Sequence, residues 1–155
     1  MSKIEKVYGG SPKLDGYWTV YLHRGDQLVQ KVEGHNVVTT AGKEFLASFL
    51  YSSAVAAATF TCKYVGIGTD ATAEAIGNTA LGTEAARTTG TVSYVTGGIF
   101  QVTATFTSGV GTGAIVEYGL LSAAAAGTLL SRDTESVINK GANDTLTTIV
   151  RITVG

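Results

Sequence analysis

Residues 99–107 alternate without a break. Phe100, Val102, Ala104 and Phe106 share one side, and Gln101, Thr103, Thr105 and Thr107 share the other. Successive side chains of an extended chain point to opposite faces. A period of two therefore describes a strand with one face buried and the other wet. Residues 17–23 behave alike, with Trp18, Val20 and Leu22 opposite Tyr17, Thr19, Tyr21 and His23. A chain that repeats this pattern has to fold by pairing strands over a shared core.

More elements follow from the same reading. Gly25-Asp26 marks a turn, and residues 28–32 supply the second arm of a β-hairpin. Gly34-His35-Asn36 interrupts that arm, and Val37-Val38 resumes extended chain. Residues 64–68 read as a short buried strand closing on a glycine turn, and 70–83 as a surface loop. Further strands are expected at 91–95, 99–107, 115–121, 128–131 and 146–154, with a tight turn at Gly97-Gly98. In the last strand Leu146, Val150, Ile152 and Val154 form the inner face.

The spacing predicts one helix near residues 40–51. Thr39 or Thr40 caps it, Glu44 sits in its first turn, and Phe45, Leu46, Phe49 and Leu50 make one apolar stripe. The expected fold is mainly β, an antiparallel β-sandwich with that single α-helix; a jelly roll or a partly closed barrel is the alternative. Residues 1–15 show no periodicity and carry Gly9-Gly10-Ser11-Pro12, so they read as an extended N-terminal arm on a single domain, 16–155.

Charge narrows the function. Eleven basic residues (11) face 12 acidic ones, a net charge of -1, which supplies no electrostatic pull toward nucleic acid or an anionic membrane. No apolar run reaches the roughly 18 residues of a membrane span. The first residues lack the apolar core of a signal peptide, which points to synthesis in the cytoplasm. Charged residues make up 15% of the chain, against about 25% in an ordinary soluble domain. With a mean hydropathy of +0.23, this implies a surface partly covered by neighbours. The single cysteine, Cys62, reads as a small buried hydrophobe.

Chemistry-bearing patterns are sparse. His23 and His35 are isolated from each other and stand in no ligand spacing with Cys62 or an acidic pair. Gly66-x-Gly68 opens no helix, so it reads as a turn rather than a phosphate loop. Arg24-Gly25-Asp26 matches the integrin-binding tripeptide, but a hairpin tip already explains Gly-Asp there. Glu84, Arg87, Glu117 and Arg132 lie among apolar strands, where charge is costly unless paired. Two acids and two arginines are expected to pair and fix the loop against the sheet. A hydrolytic carboxylate pair is the functional alternative, but it needs a raised pKa, and neighbouring arginines push the other way. No catalytic, cofactor-binding or metal-binding residue is expected, and the chain reads as non-enzymatic.

Several segments, taken in order, resemble a class of tailed-bacteriophage virion proteins. They are Gly34-His35-Asn36-Val37-Val38-Thr39-Thr40-Ala41-Gly42, Tyr64-Val65-Gly66-Ile67-Gly68-Thr69 and Ala80-Leu81-Gly82-Thr83-Glu84-x-x-Arg87. Glu117-Tyr118-Gly119-Leu120-Leu121, Gly127-Thr128-Leu129-Leu130-Ser131-Arg132 and Asp144-Thr145-Leu146-Thr147 complete the set. The resemblance spans residues 34–155, and it departs at Tyr118-Gly119-Leu120-Leu121, where a small residue and then Gly-Leu-Phe would be expected. It implies a virion structural protein, made in the host bacterial cytoplasm and carried in the particle. The favoured expectation is a capsid decoration, or cement, protein bound to the major capsid protein and assembled as a homo-oligomer, trimer or dimer. The alternative is a tail- or fibre-associated or receptor-binding component. Ile4, Val7 and Tyr8 of the arm are the candidate partner-binding residues, with no nucleic acid and no membrane expected as partner.

Overall fold

The computed structural model describes residues 13–51 and 62–155, and of residues 49–51 the backbone alone. Ile4, Val7 and Tyr8 lie outside the described residues. In chain order the elements are β1 (Leu14–Arg24), β2 (Gln27–Val38), α1 (Thr40–Tyr51), β3 (Tyr64–Gly68), β4 (Glu84–Thr89), β5 (Thr91–Val95), β6 (Ile99–Phe106), β7 (Gly113–Leu121), β8 (Leu129–Lys140) and β9 (Asp144–Val154). The nine strands form one sheet in the order β4-β3-β7-β8-β2-β1-β9-β6-β5, and every neighbouring pair is antiparallel.

Two corners curl this sheet. β2 pairs with β1 for most of its length, and only Val37 and Val38 pair with β8, opposite Arg132 and Ser131. At the other corner β4 and β5 are separated by Gly90 alone. β4 pairs with β3, β5 pairs with β6, and the Gly90 amide donates to the Lys63 carbonyl at 2.6 Å. The two ends of the strand order are thus consecutive in the chain, and the sheet is barrel-like and nearly closed. The expectation of a mainly β chain with a helix at residues 40–51 holds, and that helix is the only one among the described residues; two separately stacked sheets are not established by this strand order.

The interior follows the alternation. Trp18, Val20 and Leu22 of β1, Val102, Ala104 and Phe106 of β6, and Leu146, Val150 and Ile152 of β9 are buried in a common core. Two details of β9 depart from the apolar reading. Val154 is 61% exposed, and Thr148 takes the inner position that the sequence skipped. Thr148 is tolerated inside because its hydroxyl donates to the Ala104 carbonyl at 3.3 Å.

Other boundaries differ for identifiable reasons. β1 begins at Leu14, inside the expected arm, because Lys13 and Gly155 exchange backbone hydrogen bonds of 2.7 and 2.9 Å and tie the strand to the end of β9. Gly34-His35-Asn36 does not interrupt β2 but pairs in register with residues 16–18 of β1. Arg132 does not end its strand, since β8 runs on to Lys140. β4 was missed because Glu84–Thr89 holds no alternating apolar residues. Gly66 and Gly68 form no turn. Both lie within β3, where a Cβ on Gly66 would meet Leu81 at 2.7 Å and one on Gly68 would meet the Glu117 carboxylate at 2.2 Å.

Helix α1 starts from a buried cap. The Thr39 hydroxyl accepts the Gly42 amide at 2.9 Å and donates to the Leu129 carbonyl. Glu44 falls just beyond the first turn, which holds no acid. Phe45 and Leu46 pack on the core. One hydroxyl thus joins the helix to β8. Thr39→Ala is expected to lower stability by about 1–2 kcal/mol, the range for a lost cap, while Thr39→Ser stays near wild type. Chemical denaturation of the two variants checks this.

Candidate functional site

Glu117 and Arg132 stand on neighbouring strands, β7 and β8, and project from the outer side of the sheet. Their registers place Glu117 opposite Thr134 and Arg132 opposite Gly119, a diagonal step apart. Both are sealed from solvent by residues 69–83. The guanidinium donates to Glu117 Oε2 through Nε at 3.1 Å and Nη2 at 2.9 Å. The carboxylate also accepts the amides of Gly82 at 2.9 Å, Thr83 at 2.7 Å and Asp70 at 3.3 Å. Arg132 Nη1 donates to the Thr72 carbonyl at 2.9 Å, and Asp70 Oδ2 lies 3.7 Å from Nη2. The Asp70 carboxyl is held below its usual range, first by the Thr72 amide and hydroxyl and further by the Arg132 charge. Leu81 packs over Gly66 and Gly119, and the Ile76 carbonyl accepts the Thr40 amide at 2.8 Å, so the same loop reaches the start of α1.

Glu84 and Arg87 form a second pair, on β4. Arg87 donates to both Glu84 oxygens at 2.7 and 2.6 Å, and its Nη1 reaches the carbonyls of Ala123 and Ala126 at 2.9 and 2.7 Å. The structure therefore brings the four charged residues together as two pairs, each of which ties a loop to the sheet. Glu117 is 0% exposed and its oxygens are filled by donors, which leaves no lone pair facing a substrate.

The remaining sequence candidates are placed as follows. Arg24 binds Asp144 with Nε and Nη2 at 2.9 and 3.1 Å, which holds the Asp144 carboxyl down at about 2, with help from the Gly141 amide. Gly25 takes φ 58° at the hairpin tip, so Arg24-Gly25-Asp26 has a structural explanation. His35 packs edge-on against Tyr17 at 5.1 Å, with Asp15 at 3.7 Å. Cys62 is buried, and burial pushes its thiol up to about 12. Among the described residues no group of three His, Cys, Asp or Glu is placed to hold a metal ion.

Sequence reasoning missed an apolar recess at one end of the barrel. Leu14, Leu46, Cys62, Val92, Phe100, Leu130, Ile152 and Val154 line a cavity of about 240 Å³. At its rim Tyr94 is 79% exposed and Val92 40%. The recess draws on five strands, the helix and Cys62 just ahead of β3, so no local pattern announces it. Exposed Val92 and Tyr94 on the short edge strand β5 were the available signal. Lys13, where the described part of the N-terminal region begins, adjoins this end.

No family model, curated protein or solved structure matches the chain. The site is therefore read from its own geometry. Arg132→Ala is expected to cost about 3–5 kcal/mol, the range for stranding a buried carboxylate. Arg87→Ala is expected to cost about 1–3 kcal/mol, as its Glu84 partner still reaches solvent. Urea unfolding of both variants measures the difference.

Proposed function

We propose that this chain is a non-enzymatic structural protein of a tailed-bacteriophage particle, most consistent with a capsid decoration protein that binds the major capsid protein on the head surface. The observation that carries this reading is where the family-like segments fall. Tyr64 to Thr69, Ala80 to Arg87, Glu117 to Leu121 and Gly127 to Arg132 come from separate parts of the chain. They meet in β3, β4, β7, β8 and the loop over them. Their polar groups are spent within the fold: the Glu117 carboxylate binds three amides and Arg132, and Arg87 binds Glu84 and two carbonyls. Polar groups spent on architecture in this way suit a structural component better than an enzyme.

The attachment side is assigned to the apolar end of the barrel. There the recess, Val92, Tyr94 and Val154 present apolar surface, and Lys13 leads into the arm with Ile4, Val7 and Tyr8. Burying such side chains on a partner returns about 1.5–3 kcal/mol each. A trimer or dimer would repeat the contact and multiply a modest affinity. A tail-associated, receptor-contacting role is the second reading, favoured by the exposure of Tyr94, since aromatic side chains are enriched in recognition surfaces.

Two measurements test this. Deleting residues 2–12, or replacing Tyr94 with Ala, should leave the thermal midpoint within a few degrees of wild type. Either change should weaken binding to particles lacking the protein by about tenfold or more, a loss of about 1.4 kcal/mol. Copy number per particle separates the readings: a number comparable to the major capsid protein supports the head surface, and one comparable to tail proteins supports the second reading. Undiminished binding of both variants overturns the assigned attachment side.

A further inference from the structure

The inner face of the barrel carries polar groups that no pairing absorbs. Asp133 of β8 is 1% exposed, and neither carboxylate oxygen has a hydrogen-bond partner among the described residues. Tyr118 lies directly opposite it on β7, with its hydroxyl equally unpaired. Trp18 stacks 5.8 Å from Tyr118, and its ring nitrogen is unpaired; so are the Asn36 amide and the Ser131 hydroxyl. Isolated orphans of this kind are rare in folded chains, and a group of them on one face calls for a role.

This cluster flanks the weakest joint of the sheet. β2 and β8 pair only through Val37 and Val38 with Arg132 and Ser131. Further along, the Gln30 side chain spans to the Val137 carbonyl at 3.0 Å. Between these two ties stand Gly34 and Asn36 on β2 and Asp133 and Glu135 on β8. The Glu135 carboxylate reaches across to Gly34, where a Cβ would lie 1.6 Å from its Oε1.

We propose that the joint between β2 and β8 is a proton-operated latch, closed while Asp133 is neutral and loosened when it ionises. The charges acting on Asp133 are Glu135 on its own strand and Glu74 from the covering loop, both negative. Tyr118 is the titratable group that β7 supplies, and its hydroxyl is itself pushed up, first by burial and then by Asp133 and Glu135. β1 and β2 present Trp18, Gly34 and Asn36, which carry no charge. Arg132 is turned to the opposite face and held by Glu117. Lys140 and Asp144 lie near the far end of β8, roughly 23 Å away at about 3.3 Å per residue. Lys43 and Glu44 of α1 are exposed to solvent. Burial first, then Glu135 and Glu74, raise the Asp133 carboxyl from 3.8 to about 7, against a smaller opposing pull from the Thr134 amide beside it.

The sign of the effect follows. The folded chain keeps a proton on Asp133 that the unfolded chain gives up near 3.8, so this contribution to stability is complete below that value. It is lost as pH rises toward about 7 and is gone above it. The expected consequence is local. As pH rises toward neutrality an ionised carboxylate facing two others draws solvent into the joint, and β2 separates from β8 at Val37 and Val38 before the rest of the barrel yields.

Hydrogen exchange resolved along β2 tests this in the full-length protein. After correction for the intrinsic pH dependence of exchange, protection of the paired residues Val37, Val38, Ser131 and Arg132 should fall about tenfold or more between pH 5 and 7, while β6 and β9 stay protected. Asp133→Asn should remove the change. Glu135→Gln should move its midpoint to lower pH, and replacing His23 and His35 with Gln should leave it in place. If Asp133→Asn does not fold, the midpoint shift in Glu135→Gln decides the matter. Constant protection in the wild type, or a change that survives in Asp133→Asn, overturns the latch.

Discussion

A carboxylate and a guanidinium closed off from solvent organise half of this molecule. Glu117 and Arg132 would each be costly alone under a lid of protein, where a charge is poorly solvated. They are tolerable because the lid itself supplies the solvation. Three amides of residues 69–83 point at Glu117, and carbonyls from the same loop accept from Arg132. The dependence runs both ways. A loop with few apolar side chains has little reason to lie on a sheet, and the ion pair gives it one. Through Ile76 the ordered loop then reaches α1, and through Leu81 it covers the glycines of β3 and β7. A single electrostatic centre thus coordinates a loop, a helix start and two strands.

The rest of the architecture answers a problem of curvature. Nine twisted antiparallel strands approach the size at which an open sheet curls. Two corners relieve this. β2 changes partner from β1 to β8 within its last residues, and the chain bends at Gly90 between β4 and β5. The resulting interior is apolar toward β6 and β9 and mixed toward β7 and β8. The mixed side is where Trp18, Tyr118 and Asp133 meet.

Much of this was legible because alternation is local. β1, β6 and β9 announce themselves through Trp18-x-Val20-x-Leu22, Phe100 to Phe106 and Leu146 to Ile152, and α1 through its capping threonine and the Phe45-Leu46 contact. The four charged residues were conspicuous because their setting is apolar. Other features lay beyond local pattern. Beyond Ser131, the strand β8 turns Asp133 and Glu135 inward, an arrangement that hydrophobic periodicity reads as the end of a strand. β4 packs through Thr and Ala, which have no period to detect. Gly66 and Gly68 looked like punctuation, but they are clearances for Leu81 and for Glu117, and only the partner strand reveals what a missing side chain makes room for. The apolar recess is assembled from residues far apart in the chain, so it exists only after folding.

The bend at Gly90 also bears on how copies of this protein can meet. An open sheet offers two free backbone edges, and each is a template on which another chain can extend the hydrogen-bond ladder without limit. Here the two edges belong to one continuous stretch of chain with a single residue between them. A strand arriving at either edge finds only six residues of β4 or five of β5 before the chain turns at Gly90. Edges this short discourage unlimited growth and favour contact between copies through side chains, whose shapes and chemistry can be specific where a bare backbone ladder accepts almost any sequence.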